Sequence, residues 1–319
     1  MSIMKTVIPP VPRYKLEAEF SNNLYVRNTN KGNNIIFDFS ASEAPYLMLE
    51  VGRLRELTFR TAGGGTGKEV DIDEFDTGKI PYRQLIVWDP AENEILGGYR
   101  YILGNKLRPV KEEISLLATA QLFHFTEKFI NEYLPYTIEL GRSFVQPNYQ
   151  SSKAGSKSLY ALDNLWDGLG TLIVNNPEMK YFFGKVTMYT NFNQEARDII
   201  RIFMEIYFND TQKLVYPIEP VKSVVDENMV REKFSGNNFS EDYKILSRTV
   251  RELGEHIPPL FNAYMSLSPT MKTFGTAVNE QFGGVEETGI ILTIKELYEA
   301  KVLRHINTYN PSDLLVEKN

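Results

Sequence analysis

Hydrophobic positions along the chain alternate between strand-like runs and helical stripes. Strands are predicted at 33–39, 82–89, 94–103, 137–145, 181–189 and about 288–294. Apolar residues at helical spacing predict helices behind a Ser40–Glu43 capping box, over 158–173, 194–208 and 241–253, with short helices within 114–134. Helices and strands interleave without repeats, which predicts a mixed α+β fold.

Polar segments suggest how the chain is divided. Residues 1–30 are rich in proline and asparagine and are predicted to form a loosely structured arm. Residues 31–210 hold most of the predicted elements and form the core. Residues 211–319, which begin with a polar stretch, are predicted to be an extension packed on that core.

Composition excludes several classes of function. The 319 residues include no cysteine, which removes disulfides, thiolate catalysis and cysteine metal sites. The net charge of −6 gives no general attraction for nucleic acid, so no nucleic-acid partner is expected. The N-terminus lacks a signal-peptide core, and no apolar run approaches the roughly 20 residues of a membrane span. We therefore expect a cytoplasmic protein, at most peripheral to a membrane.

The segment TIELGRSFV (137–145) carries charges that a buried strand has little reason to hold. Glu139 and Arg142 lie three apart, and such positions point to opposite faces of a regular strand. Gly141 lies between them, and glycine inside a strand often marks a β-bulge. A bulge shifts the alternation by one residue. We therefore expect Glu139 and Arg142 to face one site.

Several segments resemble familiar binding or catalytic motifs but lack residues that those motifs require. AGGGTGK (62–68) has alanine where a P-loop begins and glutamate where Ser or Thr should bind magnesium. DIDEFD (71–76) lacks the third ligand and the glycine of a calcium loop. The three histidines have no metal-ligand spacing, and no nucleophile elbow is present. Neither a metal nor a bound cofactor is predicted.

Charged residues at the ends of hydrophobic elements remain as candidates. Surface charge is the ordinary explanation for such residues. However, Arg100, like Glu139 and Arg142, lies inside an apolar strand. The candidate set comprises Arg55, Glu69, Asp73, Asp76, Arg100, Glu139 and Arg142.

Four short motifs follow one another along the chain in the order found in a known protein family. LRELTF (54–59), DEFD (73–76), LGGYR (96–100) and ELGRSFVQPNY (139–149) occur at characteristic spacings. The chain resembles the GNAT-type N-acyltransferases once labelled hemolysin-like, which include bacterial ornithine- and glycine-lipid synthases. It is more distantly similar to acyl-homoserine lactone synthases. The resemblance covers roughly residues 35 to 295.

The resemblance implies a twisted, mixed central sheet flanked by helices. Its fourth strand, here 137–145, would be bulged and splayed from the fifth, and the donor's phosphopantetheine arm would enter between them. The loop that holds coenzyme A in GNAT enzymes is degenerate here, since Lys153 replaces a glycine before the lone Gly155. An acyl carrier protein donor is therefore expected rather than acyl-coenzyme A. A local basic patch of Lys106, Arg108, Lys111, Arg142, Lys153 and Lys157 would bind this acidic partner.

The resemblance also implies roles for individual residues. Glu139 would be the general base, directly or through water, with Arg142 holding it or contacting the donor. The substrate-binding candidates are Arg55, Phe59, Asp73, Asp76 and Arg100; for the two arginines, an ion-pair brace with the aspartates is equally open. The donor-binding candidates are Phe144, whose amide would serve the oxyanion, Val145, Gln150, Lys153, Gly155 and Lys157.

The reaction implied is acyl transfer to an amino acid. A 3-hydroxy fatty acyl group would pass from acyl carrier protein to the amino group of an ornithine- or glycine-type acceptor, giving a lyso-aminolipid. Two alternatives stay open. One is a lactone synthase that binds S-adenosylmethionine, although the long C-terminal extension argues against it. The other is a non-catalytic module that binds acyl carrier protein or lipid.

Overall fold

The computed structural model describes residues 4–150 and 156–311, with side chains at 4–150 and 160–311. Within them, eight strands form one sheet in the order β1-β2-β3-β4-β6-β7-β10-β9, and β5 pairs with β8. The strands are β1 (Tyr25–Asn28), β2 (Ile35–Phe39), β3 (Arg83–Asp89), β4 (Glu94–Leu103), β5 (Phe123–Phe125), β6 (Thr137–Val145), β7 (Tyr181–Met188), β8 (Val215–Pro217), β9 (Lys272–Asn279) and β10 (Val285–Thr293).

Helices cover both faces of the sheet. They are α1 (Arg13–Glu17), α2 (Pro45–Ala62), α3 (Glu74–Thr77), α4 (Lys111–Ile114), α5 (Ser156–Asn175), α6 (Gln194–Phe208), α7 (Glu227–Arg231), α8 (Phe239–Glu252), α9 (Pro259–Met265) and α10 (Glu299–Lys301). No helix among the described residues is long and apolar enough to span a membrane. The predicted mixed α+β fold is confirmed.

Apolar clusters define the two faces. On one face, called the front, α2 packs over the strands at one end, and residues 107–134 cover the other end. On the back face, α5, α6 and α8 pack over a large cluster that includes Ile138 and Phe182. Because side chains alternate along a strand, Glu139 and Phe183 point to the front.

Strands β6 and β7 part midway along their length. They are the parallel pair of the sheet and are joined from Thr137 and Tyr181 to Leu140 and Gly184. Beyond Leu140, β6 pairs only with β4, while β7 continues along β10. The sheet therefore has a gap in its middle. The family resemblance implies such a gap, because it makes β6 the fourth strand of the fold, which parts from the fifth, β7.

Strand β6 is bulged where the sequence predicts it. Gly141 pairs with Arg100 and Phe144 with Gly98, so two residues of β6 lie opposite Tyr99. The residue in the left-handed conformation is Arg142, with φ of 49°, rather than the neighbouring glycine. A non-glycine residue is rarely found there, and such backbone strain concentrates at functional sites.

The bulge leads to a prediction about two glycines. A Cβ on Gly97 would lie 2.3 Å from the carbonyl oxygen of Phe144, whereas one on Gly141 would meet Arg100 no closer than 3.5 Å. We expect Gly97→Ala to lower the free energy of unfolding by about 2 kcal/mol or more. Gly141→Ala should cost under about 1 kcal/mol. Urea unfolding of both variants checks this; equal losses would show that close approach at Gly97 does not shape the bulge.

Some elements escaped prediction. Strand β1 lies within the predicted arm, and β9, KTFGTAVN, is an edge strand whose glycine and polar residues obscure its alternation. The segment 211–319 contributes β9 and β10, so the sheet continues across the expected boundary. The Ser40 capping box was also misplaced: the Ser40 amide does donate to Glu43, at 2.7 Å, but the helix begins later, at Pro45.

Candidate active site

Buried ion pairs join α2 to the acidic loop on the front face. Arg55 is fully buried, and its guanidinium donates to both carboxylate oxygens of Asp76, at 3.1 and 3.2 Å. It also donates to Asp71 at 3.2 Å. Asp73 and Asp76 form a capping box around α3, which fixes the acidic loop. Such bidentate pairing holds both partners in a defined orientation.

Two strand arginines extend this network. Arg100 donates to Asp73 at 2.7 Å and to Asp76 at 3.3 Å. Arg142 lies 2.8 Å from Asp71 by its Nε, although that N–H is not aimed at the carboxylate, and its guanidinium stacks 4.2 Å from the Phe282 ring centre. We call Arg55, Asp71, Asp73, Asp76, Arg100 and Arg142 the ionic cluster.

The ionic cluster keeps its charges despite burial. Burial opposes ionisation of Asp76, but the Arg55 and Arg100 guanidiniums outweigh it and hold the pKa of that carboxyl below its usual range. Burial likewise opposes the charge of Arg100, and the three aspartates reverse the effect and raise its pKa. Three arginines therefore balance three aspartates at the front of the gap.

Glu139 lies beside this cluster in a different setting. Its side chain is buried, with 2% exposure, and its Oε1 accepts a hydrogen bond from the Thr119 amide at 3.1 Å. Its Oε2 has no hydrogen-bond partner within the described part of the chain. Burial raises the pKa of Glu139 to about 7, against opposing effects of the Thr119 amide, the Lys185 charge and the nearby Tyr82 hydroxyl, which favour the charged form. A carboxyl with this pKa suits proton transfer near neutral pH.

The raised pKa makes a prediction about stability. The folded carboxyl keeps its proton up to about pH 7, whereas the unfolded one loses it near the ordinary pKa of 4.5. The contribution of this carboxyl to the free energy of unfolding is therefore fully present below pH 4.5, and it is lost as the pH rises through 7. Glu139→Gln removes the loss, so urea unfolding should show the variant gaining roughly 3 kcal/mol over wild type at pH 8.5 and little at pH 4.5. Equal differences at both pH values would contradict the raised pKa.

Two hollows meet at the gap between β6 and β7. On the back face, a narrow apolar cavity of about 40 Å³ is lined by Trp166, Leu169, Phe182, Tyr264, Ile290 and Leu292. On the front face, a polar cleft of about 660 Å³ is lined by Asp73, Arg100 and residues 63–68, among others. Arg142 and Lys185 line both hollows. These two side chains thus stand between an apolar hollow and a polar one.

The structure brings together some of the predicted site residues. Asp73, Arg100 and Arg142 line the polar cleft. Arg55 and Asp76 lie behind them as an ion pair. For Arg55, an ion-pair brace is one of the two expected roles, the other being substrate contact. Glu139 and Arg142 point to the same face, as the bulge predicts, but Glu139 is separated from the cleft by the 118–119 segment, of which Ala118 lines the cleft.

The remaining candidates lie at the edges of the site. Phe59 is buried against Phe282, with ring centres 5.0 Å apart. Phe144 is buried in the α2 cluster, and Gln150 donates to the Val145 carbonyl at 2.5 Å. Lys153, Gly155 and the side chain of Lys157 lie outside the described residues, so their donor-binding roles stay predictions.

The structure describes only part of the predicted basic patch. Lys106 and Arg108 follow the end of β4, where Leu103 pairs with Ile138 at the start of β6, whereas Arg142 lies farther along β6. Arg108 is in addition paired with Glu113 at 2.6 Å. Lys153 and the side chain of Lys157 lie outside the described residues, so the patch of six residues stays a prediction.

The glycine-rich loop binds a carboxylate of the protein itself. Glu56 of α2 is fully buried and accepts hydrogen bonds from the Thr66 amide at 3.0 Å and the Gly67 amide at 2.8 Å. Gly63, Gly65 and Gly67 all have positive φ. The loop thus forms an amide nest of the kind that binds anions, with its anion supplied internally. This agrees with rejecting AGGGTGK as a P-loop.

Sequence reasoning missed several residues at the site. Asp71 anchors both Arg55 and Arg142, but it could not be told apart from the other acids of its loop. Lys185 was missed although it carries the signal used for Arg100, a lone charge inside an apolar strand. Tyr82 gave no such signal. Within the part of the chain that is described, no group of histidine and carboxylate side chains is arranged to hold a metal ion.

Comparison with known proteins identifies the family. A family model described as an acetyltransferase (GNAT) domain matches residues 54–159, which include the whole ionic cluster. The chain is 54% identical over 306 residues to a glycine N(alpha)-acyltransferase of Bacteroides thetaiotaomicron, covering 96% of this chain and 91% of that protein. It is 52% identical over 306 residues to a glycine N(alpha)-acyltransferase of Phocaeicola vulgatus, covering 96% and 94%. No solved structure matches the chain significantly.

Proposed function

Because the chain belongs to the GNAT acyltransferase family, we propose that it transfers a fatty acyl group to the amino group of glycine. Glycine is the acceptor in the names of both relatives, which are more than half identical along almost the whole chain. The observation that carries the proposal is the gap between β6 and β7, where a polar cleft meets an apolar cavity. One side suits a zwitterion and the other an acyl chain.

The donor we propose is a 3-hydroxyacyl thioester on acyl carrier protein. The acyl chain enters the apolar cavity on the back face, which widens to take it, and the thioester lies in the gap beside Arg142. The degenerate loop after β6 supports a carrier protein rather than coenzyme A, because it lacks the glycines that bind a pyrophosphate. The carrier protein docks near the end of β6, where Lys153 and Lys157 supply positive charge in the sequence.

The chemical step is direct aminolysis of the thioester. The neutral amine of glycine attacks the carbonyl carbon, the new C–N bond forms, and the C–S bond breaks to release the phosphopantetheine thiol. The zwitterion first loses one ammonium proton to solvent. The attacking amine then gives a second proton to Glu139 through a water, because the 118–119 segment separates the carboxylate from the cleft, and this proton passes on to the departing sulfur. Backbone amides of the bulged strand, that of Phe144 among them, are proposed to stabilise the oxyanion.

The product would be an N-acylglycine carrying a hydroxylated chain, a lyso-aminolipid. This product is amphiphilic, so we propose that the enzyme works in the bacterial cytoplasm with transient contact to the inner membrane surface. It would then belong with the lipid-forming enzymes that its motifs resemble.

An acceptor competition tests the function. Purified protein is given 3-hydroxyhexadecanoyl–carrier protein, or the matching coenzyme A thioester, with an equimolar mixture of amino acids that includes glycine and ornithine. Mass spectrometry should find N-acylglycine as the dominant product, formed faster from the carrier protein. A dominant ornithine product, or a lactone when S-adenosylmethionine is added, would replace glycine as the acceptor.

A further inference from the structure

Lys185 is placed at the junction of the two hollows. Gly184 is the last residue of β7 that pairs with β6, so Lys185 is the first residue beyond the point where the strands part. Its side chain is 12% exposed and lines both the polar cleft and the apolar cavity. Arg142 is its counterpart across the gap.

The ammonium of Lys185 is held from behind. It lies 2.7 Å from Oε2 of Glu287, which is itself buried at 4% side-chain exposure. Glu287 also accepts from Asn279 at 2.9 Å and from Thr187 at 3.3 Å. Since an ammonium has three donors and Glu287 occupies one, Lys185 retains hydrogen-bonding capacity toward the gap.

The arginines at the site are committed elsewhere. Arg55 is fully buried, and Arg100 is bound by Asp73 and Asp76. Arg142 lies between Asp71 and Asp73 and is stacked on Phe282. Among the described residues, Lys185 is the cation that reaches the gap with a single carboxylate partner.

We propose that Lys185 binds the carboxylate of the amino-acid acceptor. This rests on the proposed acylation of glycine and assigns a residue to its recognition. In a zwitterion the carboxylate is two bonds from the nitrogen, so an acceptor whose amine faces the gap from the front places its carboxylate beside this ammonium. Asp73, 13% exposed at its side chain, lies in the same cleft and faces the amino end.

The test compares glycine with glycinamide, which has the same amine and no carboxylate. For Lys185→Met, the ratio of kcat/KM for glycine to that for glycinamide should fall roughly 10- to 100-fold, the effect of losing a hydrogen bond to a charged group. Lys272→Met is the matched control: Lys272 is also a strand lysine beside a buried carboxylate, that of Asp210 at 3.6 Å, but it lines neither hollow, so the ratio should stay as in wild type.

Removing Lys185 leaves Glu287 buried without its cation, so the double variant Lys185→Met/Glu287→Gln is measured as well. Glutamine keeps one oxygen that can accept from Asn279, and its amide can donate to the Thr187 hydroxyl. The double variant decides if the single one does not fold. An unchanged ratio overturns this assignment. If kcat/KM falls equally with both acceptors, Lys185 acts on the oxyanion instead. If wild type acylates neither acceptor, the proposed function itself is wrong, which is a distinguishable result.

Discussion

Replacing Glu139 with glutamine should lower kcat about 100- to 10,000-fold, the range that general base catalysis supplies. Glutamine has the same size and can still accept from the Thr119 amide, so the loss would reflect the missing proton acceptor rather than packing. The measurement is the rate of N-acylglycine formation at saturating donor and glycine, at pH 8.

The pH profile separates this role from a structural one. Because the pKa of Glu139 is raised to about 7, wild-type kcat should rise with pH and level off above that value. The residual rate of the glutamine variant should lack this inflection. A variant with wild-type kcat, or with reduced kcat and the same inflection, would show that another group accepts the proton.

Filling the apolar cavity should change which acyl chains are used. Leu169 lies on α5 and lines the cavity, so Leu169→Trp would leave less room for the chain. Excluding three or four methylenes costs about 3 kcal/mol, which is roughly 100-fold in kcat/KM for a hexadecanoyl donor. An octanoyl donor should lose far less. Competition between the two thioesters on carrier protein measures the change.

Leu172→Trp is the matched control for the cavity. Leu172 is buried on the same helix, α5, but does not line the cavity, so its replacement strains the core without shortening the chamber. Its preference between hexadecanoyl and octanoyl donors should equal that of wild type. If both variants shift the preference alike, or neither does, the acyl chain does not lie on the back face.

The sequence was most informative where a charge lies inside an apolar strand, although Lys185 carries this signal and was missed. Glu139, Arg142 and Arg100 were recognised as charges within apolar strands, and the bulge followed from Gly141 and the spacing of Glu139 and Arg142. The residue that bears the strain, Arg142, could not be identified, because a bulge fixes the count of residues and not which of them takes positive φ. The splay followed from the family resemblance rather than from any local pattern.

Long-range pairing explains most of what was missed. Asp71 and Asp73 lie in one acidic loop, and only the tertiary fold shows that Asp71 takes the buried position between Arg55 and Arg142. Glu287 became part of the site because β10 joins the sheet beside β7, a pairing across about a hundred residues that no short-range periodicity encodes. The edge strand β9 was missed for its weak alternation.

The most direct test of the account is whether the purified chain makes N-acylglycine. Isotopically labelled glycine is mixed with 3-hydroxyhexadecanoyl–carrier protein and wild-type protein, and the product and the released carrier-protein thiol are quantified by mass spectrometry. We expect labelled N-(3-hydroxyhexadecanoyl)glycine in equal amount to the thiol released, and almost none with Glu139→Gln. Thiol release without labelled product, or no reaction with either the carrier-protein or the coenzyme A thioester, would contradict it.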